Sequence, residues 1–312
     1  MPNPSQTAQA RGRGLLDRPY LILIVTVALW GGNSVAGKAA VGHIDPYVLI
    51  TLRWGGAFLA ILPFALRTLP ADLPSIRANW LLFLFYGAIG FAAFNALIYV
   101  SAYFTSGVNL ALDQVAINIL VMLGNFVFYK TRVRLLQAAG VAVTIAGVAV
   151  TATHGDLTRL LALDINFGDL LVLIACIGYA AYSLLLRYRP ATDWKSFIAA
   201  TFFIALVTSL LFQATLGGGF GAFFEGLGRI TPLGWAIAVY AILLPSLVSQ
   251  MLYVRGVELI GPNRASLFIN LIPLFGALGA VLVLGEALQP FHIVATVLIA
   301  AGIVMAEWSA RR

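Results

Sequence analysis

The sequence predicts an all-α integral membrane protein whose ten transmembrane helices form two inverted five-helix repeats. Three observations predict it. Apolar residues fill 61% of the 312 positions and charged ones 10%, with a mean hydropathy of +0.95, whereas soluble domains average near half and about a quarter. A stretch opening Y-V-S-A-Y-F-T-S-G-V-N-L-A at Tyr99 returns as Y-V-R-G-V-E-L-I-G-P-N-R-A at Tyr253, so that Tyr99, Val100, Gly107, Asn109 and Ala111 recur 154 positions later. A period near half the chain length marks two joined copies of one unit. Basic residues, finally, collect on one side of the predicted spans.

In chain order, the polar segment 1–19, with Arg11, Arg13 and Arg18, reads as a poorly ordered cytoplasmic tail. A basic stretch before the apolar run from Tyr20 resembles a signal peptide, but spans free of charge follow throughout, so the run reads as an uncleaved first helix. A bilayer core about 30 Å thick needs about 20 apolar residues in helical form. Ten such runs are present: 20–41, 46–66, 80–103, 108–128, 133–152, 168–187, 196–216, 232–254, 263–284 and 290–308. Five lie on each side of 153–167, an external linker, giving repeats at 20–152 and 168–308.

Short cytoplasmic loops carry the excess of Lys and Arg. With the N terminus inside, fifteen bases are cytoplasmic and two, Arg159 and Arg229, are outside. Both termini are then cytoplasmic, in a bacterial inner membrane. Five spans per repeat turn the second copy over, and the charges agree. Lys130, Arg132 and Arg134 occupy the 129–134 turn, whereas its counterpart G-E-A-L-Q-P at Gly285 has no base. The 104–107 turn is uncharged, whereas its counterpart carries Arg255 and Arg264. Inverted repeats are the architecture of secondary transporters, whose substrate site lies near the midplane between repeats.

The run A-L-W-G-G-N-S-V-A-G-K-A at Ala28, T-L-R-W-G-G at Thr51 and G-E-A-L-Q-P-F-H-I-V-A-T-V-L-I-A-A-G-I-V at Gly285 resemble the drug/metabolite transporter superfamily, within it the EamA group. The resemblance covers nearly the whole chain from Tyr20. It implies ten-helix exporters with duplicated halves and, within the group, exporters of aromatic amino acids. The chain departs from symmetry at Glu286, which reads Thr131 in the first half.

Trp80, Trp235 and Trp308 fall at predicted span ends, Trp194 in a loop and Trp54 in the outer half of a span, all anchoring positions. Trp30 falls mid-span, either packing helices with its indole N–H bonded to a neighbour or lining a cavity. Tyr179 and Tyr182, three residues apart, share one helix face and have the same two readings. On the second reading they line, together with Trp30, one aromatic cavity. Polar residues at mid-span are costly in lipid and face the bundle interior or a water-filled path; Asn33, Asn95, Asn118, Ser246, Ser249, Gln250 and Asn270 qualify. Tyr99, in the repeated segment, joins them as a candidate substrate contact. The alternative for each is interhelical hydrogen bonding, worth about 0.6 kcal/mol. Pro245 and Pro273 free backbone carbonyls.

Lys38, Arg53 and Asp113 lie in the outer half of the membrane. Either Asp113 neutralises one base while the other snorkels to the interface, or the surplus base attracts a substrate carboxylate. No acid lies at the midplane.

Other functional classes find little support. The basic residues are scattered rather than gathered on one solvated face, which argues against nucleic acid. There is no G-x-x-x-x-G-K-[ST] loop for ATP, and His43, His154 and His292 have no second metal ligand at short spacing. The chain is therefore read as a non-enzyme without metal, cofactor or ATPase subunit, whose partners are the lipid bilayer and a small-molecule substrate. Cys176, the single cysteine, reads as a small buried hydrophobe.

Overall fold

The computed structural model describes residues 15–130, 135–153, 155–156, 166–260 and 265–310. Residues 1–14 of the tail, the 131–134 and 261–264 turns and most of the 153–167 linker lie outside the described residues, and with them Thr131, Arg132, Arg134, His154, Arg159 and Arg264. The described secondary structure is helical throughout. Seven helices are long and apolar enough to cross a membrane: Pro19–Ala39, Pro46–Ala65, Trp80–Ser101, Gly107–Tyr129, Phe167–Tyr188, Trp194–Thr215 and Pro232–Ile260. Shorter apolar helices cover Ala138–Val150, Phe268–Leu284 and Pro290–Met305, where the fifth, ninth and tenth runs are predicted.

We label the α-helical pieces α1 (Pro19–Ala39), α2 (Pro46–Ala65), α3 (Leu69–Ala78), α4 (Trp80–Phe85), α5 (Phe94–Ser101), α6 (Gly107–Asp113), α7 (Ala116–Tyr129) and α8 (Leu135–Ala152). After the linker come α9 (Phe167–Leu185), α10 (Trp194–Thr215), α11 (Gly219–Arg229), α12 (Pro232–Ala241), α13 (Ser249–Ile260), α14 (Ile272–Leu284) and α15 (Pro290–Ala310).

Local chemistry explains where several spans begin. Asp45 accepts from the Tyr47 and Val48 amides at 2.8 and 3.2 Å, with Pro46 in the first turn of α2. Ser106, Asn166, Asp193 and Thr231 cap α6, α9, α10 and α12 in the same way. A side-chain oxygen there satisfies an amide that has no helical partner, and proline loses nothing where its missing N–H is not needed.

Three spans are interrupted. The predicted 108–128 helix breaks at Gln114–Val115, between α6 and α7. The third and eighth spans pass through π-helical segments, Tyr86–Ala93 and Ile242–Val248. Subtracting the repeat offset of 154 from Ile242 gives 88, inside the first π segment, so the two halves widen at the same place. In the second, Pro245 has no amide to donate. The Ala241 carbonyl, four residues before it, takes the Ser246 hydroxyl instead, and the Leu244 carbonyl accepts the Ser249 hydroxyl beside its backbone partner, both at 2.8 Å.

α8 packs along α15, and α2 along α10. α1 lies against α13 and α14, and α14 also packs on α6. Close approach requires glycine at Gly31, where a Cβ atom would stand 2.7 Å from the Gly276 nitrogen and the Ile272 carbonyl. Lys130 closes α7 in the left-handed conformation at φ 54°, as Gly285 closes α14 at φ 68°. The first half thus holds a lysine where the second has the residue that conformation favours.

Trp54 departs from its predicted anchoring place. It is 1% exposed and packs between Phe91 and Phe202, with both ring centroids 5.2 Å away. Burying so large a ring against two others outweighs an interfacial position. Trp80, Trp235 and Trp308 are exposed on the outer surface of the bundle.

Candidate functional site

Arg53 is the organising residue. It is 4% exposed and reaches from α2 into the space between the halves. Its Nε donates to the Ser246 hydroxyl at 2.9 Å, and its Nη1 donates to Asn33 Oδ1 at 2.5 Å, Asn95 Oδ1 at 2.9 Å and the Tyr99 hydroxyl at 2.5 Å. Tyr99 in turn donates to Asn33 Oδ1 at 3.0 Å, and Asn33 Nδ2 donates to Asn95 Oδ1 at 3.3 Å. The guanidinium carbon lies 4.8 Å from the centre of the Trp54 ring, a cation–π contact. Every acceptor is neutral, and Nη2 has no acceptor among the described residues. Burying a charge is costly unless it is paired, so this arrangement holds a cation ready for an anion.

Elements from both halves meet here. Asn33 comes from α1, Asn95 and Tyr99 from α5, and Ser246 from the second π segment. The structure therefore brings together Asn33, Arg53, Asn95, Tyr99 and Ser246 of the sequence candidates. Ser249, the repeat equivalent of Asn95, is buried but bonded within its own helix. Asn118 and Gln250 are half-buried and make no hydrogen bond to the Arg53 group. Asn270 sits half-buried in the 3-10 turn Ser266–Leu271 before α14.

A second group is aromatic. Trp30 donates its indole N–H to the Pro245 carbonyl at 3.0 Å and packs on Tyr253 with centroids 5.3 Å apart. The rings of Tyr179 and Tyr182 are 5.1 Å apart. Phe94 covers Tyr179 at 4.8 Å. Trp30 has the neighbour-bonded N–H that the packing reading expects, and its ring belongs to an aromatic group shared by both halves. Tyr253 was missed as a site residue although the repeat marks it as the mate of Tyr99.

The charges do not pair as the neutralisation reading expects. Lys38 donates to the Ala102 and Thr105 carbonyls at 2.9 and 2.8 Å and lines a cavity of about 500 Å³ with Tyr103, Ser106, Glu286 and His292. Two carbonyls satisfy its ammonium, and no acid among the described residues forms an ion pair with it. Asp113 forms an ion pair with neither base: it is buried at the α6–α7 break, with the acid Asp169 of α9 nearby. Asp169, 56 residues away in sequence, carries no local signal that places it there. Glu286 caps α6 from the second half, its two carboxylate oxygens accepting from the Gly107 and Val108 amides at 2.8 and 3.0 Å.

Comparison with known proteins identifies the family. The EamA-like transporter family matches twice, over residues 18–153 and 166–308. The uncharacterized transporter YyaM of Bacillus subtilis is 25% identical over 289 residues, covering 92% of this chain and 93% of the relative. An uncharacterized transporter of Archaeoglobus fulgidus is 23% identical over 93% of this chain and 97% of its own length. A crystal structure of a protein shares the fold with a TM-score of 0.61 at 16% identity, over 94% of this chain and 98% of that one. With two matches that together cover most of its length, the chain belongs to the EamA-like transporter family and is a multi-pass membrane transporter of small molecules.

Proposed function

We propose that the protein is a secondary transporter that exports carboxylate-bearing metabolites, amino acids with aromatic ones favoured, by alternating access across the bacterial inner membrane. Its ten spans form two inverted repeats, both termini are cytoplasmic, and neither cofactor nor ATPase subunit takes part. One observation carries the reading: Arg53 is buried between the halves, and no acid among the described residues bonds to it. A substrate carboxylate supplies the missing anion, and Nη2 together with a second guanidinium donor can grip it in the fork geometry that arginine favours. The rings of Trp30, Tyr179, Tyr182 and Tyr253 offer a flat apolar wall to a substrate side chain. Two family matches and two π segments at one offset support the duplicated architecture.

The test is counterflow in proteoliposomes with a panel of amino acids, drugs and nucleotide sugars. Exchange of phenylalanine, competed by other amino acids, supports the reading. Exchange confined to drugs or sugars moves the substrate class, and no exchange of any compound favours a receptor or scaffold.

A further inference from the structure

Three segments that the sequence puts outside meet at one end of the bundle. They are the 104–107 turn between α5 and α6, Asn166 at the start of α9 and the 285–289 loop between α14 and α15, and they surround the cavity of about 500 Å³ beside Lys38. Asn166 Nδ2 donates to the Phe104 carbonyl at 3.0 Å, which ties two of them together. The volume is within the range of small-molecule sites, and the cavity wall shares no residue with the Arg53 group.

Lys38 is the cation of this cavity and Glu286 its anion. Both are half-buried, and no ion pair joins them. The 104–107 turn and its flanks hold them apart: Lys38 donates to the Ala102 and Thr105 carbonyls, whereas Glu286 accepts from the Gly107 and Val108 amides. Each has bonding capacity left, since an ammonium has three donors and a carboxylate oxygen takes more than one hydrogen. His292 adds no charge: its Nδ1 accepts the Gln289 amide at 3.1 Å, which leaves the proton on Nε2, facing Asn109 Oδ1 at 3.2 Å. Thr105 supplies a further sign of a ligand. It is 5% exposed and lines the cavity, yet its hydroxyl has no hydrogen-bond partner among the described residues, and a buried polar group left unpaired is costly.

A cation and an anion fixed apart in one cavity match the two ends of a zwitterion. A simple anion or cation would leave one of them facing a charge of its own sign. Phe104 and Phe291 on the wall offer apolar surface to a side chain. The cavity also neighbours the Arg53 group. Asn33 and Lys38 are five positions apart on α1, about 7.5 Å of helix axis, and the Tyr99 ring packs on Gly37 between them, where a Cβ atom would stand 3.0 Å from a ring carbon. A substrate released outward from Arg53 therefore meets Tyr99 and then this cavity.

We propose that the cavity is a second binding site, for a zwitterionic amino acid whose carboxylate takes hydrogen bonds from Lys38 and the Thr105 hydroxyl and whose ammonium donates to Glu286, and that it is the last station before release. Its place in the cycle rests on the transporter reading above, and its test measures binding without transport.

Ala287→Cys, at an exposed position on the cavity wall, is made in the Cys176→Ala background, and its rate of reaction with a thiol reagent in detergent solution reports occupancy. The probes are phenylalanine, alanine, phenylalanine amide, which lacks the carboxylate, and 3-phenylpropionate, which lacks the ammonium. The two amino acids should slow labelling, and the other two should need at least about tenfold higher concentration, the scale of one charge-assisted hydrogen bond. Adding Lys38→Gln or Glu286→Gln, each checked by a thermal melt, should raise the protecting concentration of the amino acids by a similar factor. Adding Arg53→Gln separates direct from relayed protection, and protection that persists there is direct. No protection by either amino acid, equal protection by the amide or by 3-phenylpropionate, or protection lost with Arg53→Gln overturns the proposal; the probe series needs no charge variant to fold. Protection without counterflow in wild type overturns the transporter reading and leaves the site standing, whereas counterflow without protection does the reverse.

Discussion

Arg53→Gln separates a binding role from a structural one because the two predict opposite balances of affinity and stability. The guanidinium donates four hydrogen bonds to Asn33, Asn95, Tyr99 and Ser246, and none goes to an acid. Removing one member of a buried, hydrogen-bonded charge pair costs about 2–5 kcal/mol. At 1.4 kcal/mol per factor of ten, affinity for a carboxylate substrate should fall between about 30-fold and a few thousand-fold. Stability should move the other way or hardly at all. Hydrogen bonds to charged groups are worth about 1.5–3 kcal/mol each, but the variant also releases the desolvation penalty of a buried cation, itself several kcal/mol. Glutamine keeps part of the bonding without the charge. Arg53→Lys keeps the charge but loses the planar fork, and should fall between. The assay is substrate competition in counterflow beside a thermal melt of the same preparation. A variant that keeps carboxylate affinity and loses much of its thermal stability would refute the reasoning and make Arg53 an organiser of the helix bundle.

Trp30→Ala should weaken phenylalanine several-fold and alanine less, since a stacked aromatic pair adds roughly 0.5–1.5 kcal/mol beyond burial; equal losses in counterflow would assign Trp30 to packing. Trp30→Phe keeps the ring but not the bond to the Pro245 carbonyl, and should lie between. Glu286→Gln removes the charge from a cap that joins the halves, and a melt should show a loss of roughly 1 kcal/mol. In a Cys176→Ala background, cysteines at Thr131 and Asp193 should label from the cytoplasm and those at Thr158 and Gly218 from outside; labelling of Thr131 and Thr158 from one side contradicts inverted repeats.

The long spans were legible because about 20 apolar residues in a row are a lipid-scale signal, and Asp45 and Thr231, each followed by proline, mark where two of them start. Arg53, Asn33, Asn95 and Tyr99 were legible one by one because polar groups are costly in lipid. Their assembly was not, since it joins α1, α2, α5 and the Pro245 segment across up to 193 residues. The break at Gln114–Val115 carries neither glycine nor proline, so nothing local announced it. In the structure Gln114 donates to Ser34 of α1 at 2.8 Å, a tertiary bond invisible to periodicity. Asp113 was expected to find a base because opposite charges usually pair, but its neighbour proved to be an acid brought in by α9.

The central claim is that Arg53 takes the carboxylate of a transported substrate. Counterflow of phenylalanine against its amide, which keeps the ring and the amine but not the negative charge, tests it most directly in wild type. Efficient exchange of phenylalanine with the amide at least about 30-fold weaker is the predicted result. Equal exchange of the two would show that the charge is not read and would contradict the account.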